Sequence, residues 1–289
     1  ALYGGIAVAV LIHGYTKYLA GPTPDIRREG IDEIMDVVVG SAMLAVLYAL
    51  LESPGTFLPS MVKTIASAVH VNKGMTLANY LPKNITDPRS LLQWGYLTAH
   101  AYFNTFTSWY ATFWYGVLGL SILPQTAPLG WYMQQSTWYL QMMMTYTIIN
   151  LGIIYALNLI AYNSWWLLSL GIGLVIVRQT RSIGTFIVAF LTITSIVGPL
   201  LAAYTVAELG RVMAQLWIFP NPQGLTNIPS DLWNLIVSNF NVFFTQGYGA
   251  SLTMQTFDVT VDVVLAMALA ASYVLYRILD ETIVDVLPL

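Results

Sequence analysis

The run Ile183–Ala207, IGTFIVAFLTITSIVGPLLAAYTVA, decides the fold. It contains no Asp, Glu, Lys, Arg or His. A helix needs about 20 mostly apolar residues to cross about 30 Å of hydrocarbon, so this stretch reads as a membrane span. Comparable uncharged stretches occur at Val37–Leu51, Tyr102–Leu123, Trp138–Asn158 and Trp165–Val177. Leu2–Ala20 is a first candidate, interrupted by His13 and Lys17, and Phe257–Ile278 is the last. Trp165–Val177 is too short for an independent crossing, about 20 Å at 1.5 Å per residue. It is either a re-entrant half-helix or a short span extended through Asn163 and Ser164. The expected fold is therefore an all-α, polytopic integral membrane protein with six or seven transmembrane helices.

Composition agrees. The 289 residues include only 11 Lys and Arg and 14 Asp and Glu, which is 9% charged. A soluble domain carries roughly 25%. Hydrophobic residues make up 57%, and mean hydropathy is +0.66. Disorder and nucleic-acid-binding tails are excluded by the same figures. With no cysteine, the chain has no disulfides, thiolate metal sites or cysteine nucleophiles. Eighteen Tyr and nine Trp suit aromatic belts at two membrane interfaces. No internal repeat or low-complexity tract divides the chain, so 1–289 reads as one transmembrane domain. Two long segments, about 52–101 and 208–256, are rich in Pro, Gly, Asn and Thr and carry amphipathic pieces.

With seven alternating spans, Arg27, Arg28, Arg178, Arg181 and Arg277 fall on one side, on short loops or ends. Positive charge near short loops marks the cytoplasmic face. The expectation is a multi-pass protein of the cell membrane with its N-terminus outside and its C-terminus inside. Both long segments are then extracellular. The glycosylation sequon at Asn84 falls in the first of them.

No residue pattern points to catalysis. His13, His70 and His100 lack a second ligand at i+3 or i+4, so neither a metal nor another cofactor is expected. No nucleophile elbow, phosphate loop or paired acid motif is present, and the chain is not read as an enzyme. Asp258 and Asp262, an i, i+4 pair, fall in the first turns of the expected last span, where they complement the helix dipole or, alternatively, form an ion site.

Uncharged polar stripes are the more informative feature. Gln134, Thr137, Gln141 and Thr145 are spaced 3, 4 and 4; Asn234, Ser238, Asn241 and Thr245 are spaced 4, 3 and 4. Each set lies on one helical face. They line a neutral, water-filled passage or hydrogen-bond neighbouring helices within a bundle. Seven charges crowd the start of the second helix: Asp25, Arg27, Arg28, Glu29, Asp32, Glu33 and Asp36. The first six form a candidate partner-docking face, or a solvated extension of that span. Arg178 and Arg181 sit where they can hold lipid phosphates or pin a cytoplasmic turn.

The densest local pattern is Leu170-Gly171-Ile172-Gly173-Leu174-Val175-Ile176-Val177-Arg178, then Thr180-Arg181-Ser182-Ile183-Gly184, closing at Gly198-Pro199-Leu200. It resembles the polytopic membrane proteins of the crenarchaeal DNA-import machinery, the CedA family, over about 35 residues. That family in turn is similar to the membrane-embedded channel component of type IV secretion and conjugation systems. The resemblance implies a channel or scaffold subunit of an archaeal DNA-transfer or pilus-associated apparatus. It further implies a homo-oligomer or larger complex among membrane lipids, working with a motor ATPase and pilus subunits to pass single-stranded DNA. The competing expectation is an accessory subunit or small-solute channel of another membrane complex, such as an energy-converting one.

Overall fold

The computed structural model describes residues 2–51, 57–72, 74–83, 87–122, 124–125, 127–216 and 228–286. Among the described residues the protein is all-α apart from one small hairpin. Helices are α1 (Leu2–Ala20), α2 (Pro24–Leu51), α3 (Phe57–Ala68), α4 (Pro88–Ile122), α5 (Ala127–Ser136), α6 (Trp138–Tyr162), α7 (Ser164–Ile176), α8 (Arg181–Leu216) and α9 (Ile228–Val286). Strands β1 (His70–Asn72) and β2 (Met75–Thr76) pair antiparallel across Gly74, whose φ of 81° lies in the left-handed region that favours glycine.

Local chemistry sets several helix starts. Thr23 accepts a bond from the Ile26 N–H at 3.4 Å, and Pro24 follows at the first helical position. Asp87 does the same for α4, accepting from the Ser90 N–H and hydroxyl at 3.0 Å, again ahead of a proline. The amphipathic piece expected in 52–101 is α3, which buries Leu58, Val62 and Ala66 at four-residue spacing.

Among the described residues, three helices are long and apolar enough to cross a membrane: Trp138–Tyr162, Arg181–Met213 and Gly247–Glu281. That length and composition give the chain a membrane-protein character.

Helix directions follow from residue pairs. Asn158 of α6 bonds Gly198 of α8, while Gly171 of α7 packs on Ile187 and Val188. Moving along α6 and α7 therefore means moving steadily backward along α8. Helix α7 continues in the direction of α6 after a break at Asn163. Asp36 and Gly40 of α2 meet Arg181 and Ile176, so α2 runs against α7. Gly95 and Phe103 of α4 meet Asn158 and Gly152, so α4 runs against α6.

Helices α2 and α4 consequently point the same way, and the 12-residue α3, the hairpin and a single 3-10 turn at Leu77–Tyr80 lie between them in the described chain. Two tiers stand end to end. One holds α1, α2 and α7, the other α4, α5 and α6, and α8 and α9 run through both. The 36 residues of α8 extend about 54 Å at 1.5 Å per residue, well beyond about 30 Å of hydrocarbon.

Close contacts at small residues hold helices together within and between the tiers. Gly14 and Gly30 bring α1 and α2 into backbone contact: a Cβ on Gly30 would lie 2.5 Å from the Gly14 carbonyl. At the junction between tiers, Asn158 fits against Gly95 and Gly198, donating to the Ile154 and Gly198 carbonyls at 2.9 and 3.0 Å. Pro199 follows within α8 and supplies no N–H to the Ser195 carbonyl. The buried Asn158 Oδ1 and Ser195 Oγ have no hydrogen-bond partner.

Candidate functional site

Three polar constellations stand out. The first is an open groove of about 560 Å³ where α4, α5 and α6 meet. Tyr110 and Trp114 reach it from α4, Gln134 from α5, and Trp138, Gln141, Thr145 and Tyr146 from α6. The Trp114 Nε1–H donates to the Tyr110 hydroxyl at 2.7 Å, and the two rings sit edge to face. Gln141 Nε2 donates to Thr137 Oγ1 at 3.0 Å, and Thr145 donates to the Gln141 carbonyl at 2.9 Å. No ionisable acid, lysine, arginine or histidine lines the groove. Aromatic faces and amides without net charge offer stacking and weak hydrogen bonding together.

The structure thus brings Gln134, Gln141 and Thr145 into one groove but changes their geometry. Gln134 belongs to α5 and Thr137 to the break before α6, so the four do not share a single helix. Thr137 is buried and donates to the Met133 carbonyl, and the groove is a surface feature of one chain. The rings were the missed element. Trp138, Met142 and Tyr146 at four-residue spacing, beside Gln141 and Thr145, were the available signal.

The second constellation is the α7–α8 corner, which contains the glycine–arginine pattern. Gly171 and Gly184 face each other across the hairpin: a Cβ on Gly184 would lie 2.5 Å from the Gly171 carbonyl oxygen. Gly173 receives Ile6 of α1. Arg181 is buried, and its guanidinium donates to Asp36 of α2 at 3.0 Å. Among the described residues its charged partner is therefore a carboxylate on another helix. A buried carboxylate recruits the nearest guanidinium because an uncompensated charge there costs several kcal/mol (about 3–5). Arg178 starts the turn, and its side chain lies outside the described residues. These residues join four helices, α1, α2, α7 and α8.

The third constellation involves Asp258. It is buried and accepts hydrogen bonds from Thr147 Oγ1 at 3.0 Å and Asn150 Nδ2 at 3.1 Å. The expectation that it complements the dipole in the first turns of a helix is overturned, because α9 begins at Ile228 and is already helical at Gly247. Hydropathy marks where a helix becomes apolar, and this helix starts much earlier.

The charged start of α2 packs beside the end of α1. Glu33 accepts from Lys17 Nζ and pairs with His13 Nδ1, both at 2.8 Å, and Lys17 also reaches Glu29 at 3.3 Å. Burial alone would raise the Glu33 pKa, but the hydrogen bonds from Lys17 and His13 outweigh it and hold the carboxyl below its ordinary value. Arg27 Nε donates to the Gly21 carbonyl at 3.0 Å. Asp25, Arg27, Arg28 and Glu29 are exposed, and Asp32 and Glu33 half-buried. Asn84 and the side chains of Asn234, Ser238, Asn241 and Thr245 lie outside the described residues. Among the described residues, no three His, Cys, Asp or Glu side chains converge as a metal site.

No protein-family model matches the chain, and neither a curated protein nor a solved structure matches it.

Proposed function

We propose that the chain is a non-catalytic, multi-pass membrane subunit serving as channel or scaffold in an archaeal DNA-transfer or pilus-associated apparatus. Single-stranded DNA is its cargo, and a separate motor ATPase supplies the energy. The observation that carries this reading is the neutral groove of Tyr110, Trp114, Trp138 and Tyr146 with Gln134, Gln141 and Thr145. Every base has a face that stacks on an aromatic ring, and such stacking tolerates any sequence. Few fixed charges mean weak retention, which suits a conduit. Because the groove opens on the surface of one chain, the passage is formed between copies or against a partner.

The glycine–arginine corner supports the reading from another direction, since the residues that carry the family resemblance are those that join four helices. Purification of the complex in mild detergent tests it. The expected outcome is several copies of this chain with a motor ATPase or pilin. A single copy bound to redox subunits would replace this reading with that of an accessory subunit.

A further inference from the structure

Two of the three buried carboxylates among the described residues, Asp36 and Asp258, are treated in opposite ways, while the third, Glu208, pairs with Arg211. Asp36 is paired with the Arg181 guanidinium. Asp258 is buried to a similar degree, yet among the described residues its hydrogen-bond donors are the neutral Thr147 and Asn150. Thr147 and Asn150 stand near the middle of α6, and Asp258 lies within the apolar stretch of α9, both among the helices able to cross a membrane. Around the site are buried Met143, Leu151, Met254, Phe257 and Val261. Ionisable groups within spanning helices are costly and mark functional sites.

The ionisable groups facing this region are few. Asp262 lies one turn further along α9 and is exposed. Tyr204 of α8 stacks on Phe257, and Glu208 pairs with Arg211 at 3.5 Å on the same helix. Tyr139 of α6 donates to Gln255 at 2.8 Å, and Tyr102 of α4 borders Gly210. No described lysine, arginine or histidine forms an ion pair with Asp258.

We infer that Asp258, Thr147 and Asn150 form a proton-binding site between α6 and α9. Both partners are amphoteric, since a threonine hydroxyl and an asparagine amide each donate and accept. With the carboxylate charged, the Thr147 O–H donates to Oδ2 and the Asn150 N–H to Oδ1, as the structure has them. On uptake of a proton from water, an O–H bond forms on one carboxyl oxygen. That new donor is met by Thr147 Oγ1 after hydroxyl rotation, or by Asn150 Oδ1 after an amide flip. Neither state leaves the buried carboxyl unpaired. An arginine partner, as at Asp36, would fix the charged state instead. Exposed Asp262, one helical turn away, places a second carboxylate on the route to the surface.

Infrared difference spectroscopy of the full chain in lipid nanodiscs, titrated with acid and base, tests this. A protonated-carboxyl band is expected that titrates reversibly, disappears in Asp258→Asn and persists in Asp36→Asn. Thr147→Val removes a donor to the carboxylate while keeping the side-chain shape. It should retain the band and move its midpoint toward higher pH, by about tenfold in proton affinity. The inference is overturned by a wild-type protein without a titrating carboxyl band, or by a band that survives Asp258→Asn.

Discussion

Replacing Gly184 with alanine should pry α7 from α8. The added Cβ would lie 2.5 Å from both the Gly171 carbonyl oxygen and the Val175 nitrogen, and 2.9 Å from the Leu174 carbonyl carbon. All three are backbone atoms, so no rotamer change relieves the contact. Ordinary contact begins near 3.4 Å, and the helices must separate by nearly an ångström. A gap of that size forfeits roughly a quarter to a half of the dispersion well for each atom pair it opens. Buried Leu168, Ile172, Val188 and Leu191 lie in this interface. Overpacking of this kind costs about 1–3 kcal/mol, against about 1 kcal/mol gained from replacing glycine within a helix. The net expectation is destabilisation of up to about 2 kcal/mol. Gly119 of α4 is the control, because its Cβ would meet nothing within 4 Å. Gly119→Ala should be neutral or stabilise by up to about 1 kcal/mol. Thermal unfolding in detergent, followed by tryptophan fluorescence, compares the two. The chain has no native cysteine, so a single thiol introduced at Leu168 reports opening of the corner by its labelling rate. A Gly184→Ala protein as stable as Gly119→Ala, with unchanged labelling, would refute the backbone-contact reasoning.

Arg181→Met should cost about 3–5 kcal/mol by stripping the guanidinium from buried Asp36. The double variant Arg181→Met with Asp36→Leu should recover most of that loss in the same unfolding assay, whereas a headgroup anchor at Arg181 predicts additive losses. At the α1–α2 tip, Glu33 titrates below its ordinary value, so its contribution is complete above about pH 4.5 and is lost as pH falls through the lower folded value. Distances between spin labels on α1 and α2 should therefore stay constant down to about pH 4.5 and lengthen below it, and Glu33→Gln should remove that step.

Helicity was legible in the long uncharged runs but not in the charge-free stretch 124–137, which reads as a loop and holds the 10-residue α5; Thr23 and Pro24 are local signals for the start of α2. Direction was not. Whether α7 turns back or continues depends on Gly171, Gly184 and Asn158 finding partners on α8, and no periodicity encodes those pairs. The site was half legible. Gln141 and Thr145 announced a polar stripe, but the walls of the groove come from Tyr110 and Trp114 on a helix far away in sequence. Asp258 was misplaced because the upstream part of α9 is too polar to mark as a span, although it is continuous helix.

The central claim is that the groove of Trp138, Gln141 and Thr145 contacts a single strand in transit. A photo-crosslinking amino acid placed at Gln134, Gln141 or Thr145 during transfer of labelled DNA measures this directly. Crosslinks from these three positions, absent at exposed Ile183 or Phe186 on the other tier and lost in a Trp114→Ala, Trp138→Ala double variant, are the predicted result. DNA transfer that proceeds with no crosslink at any groove position would contradict it.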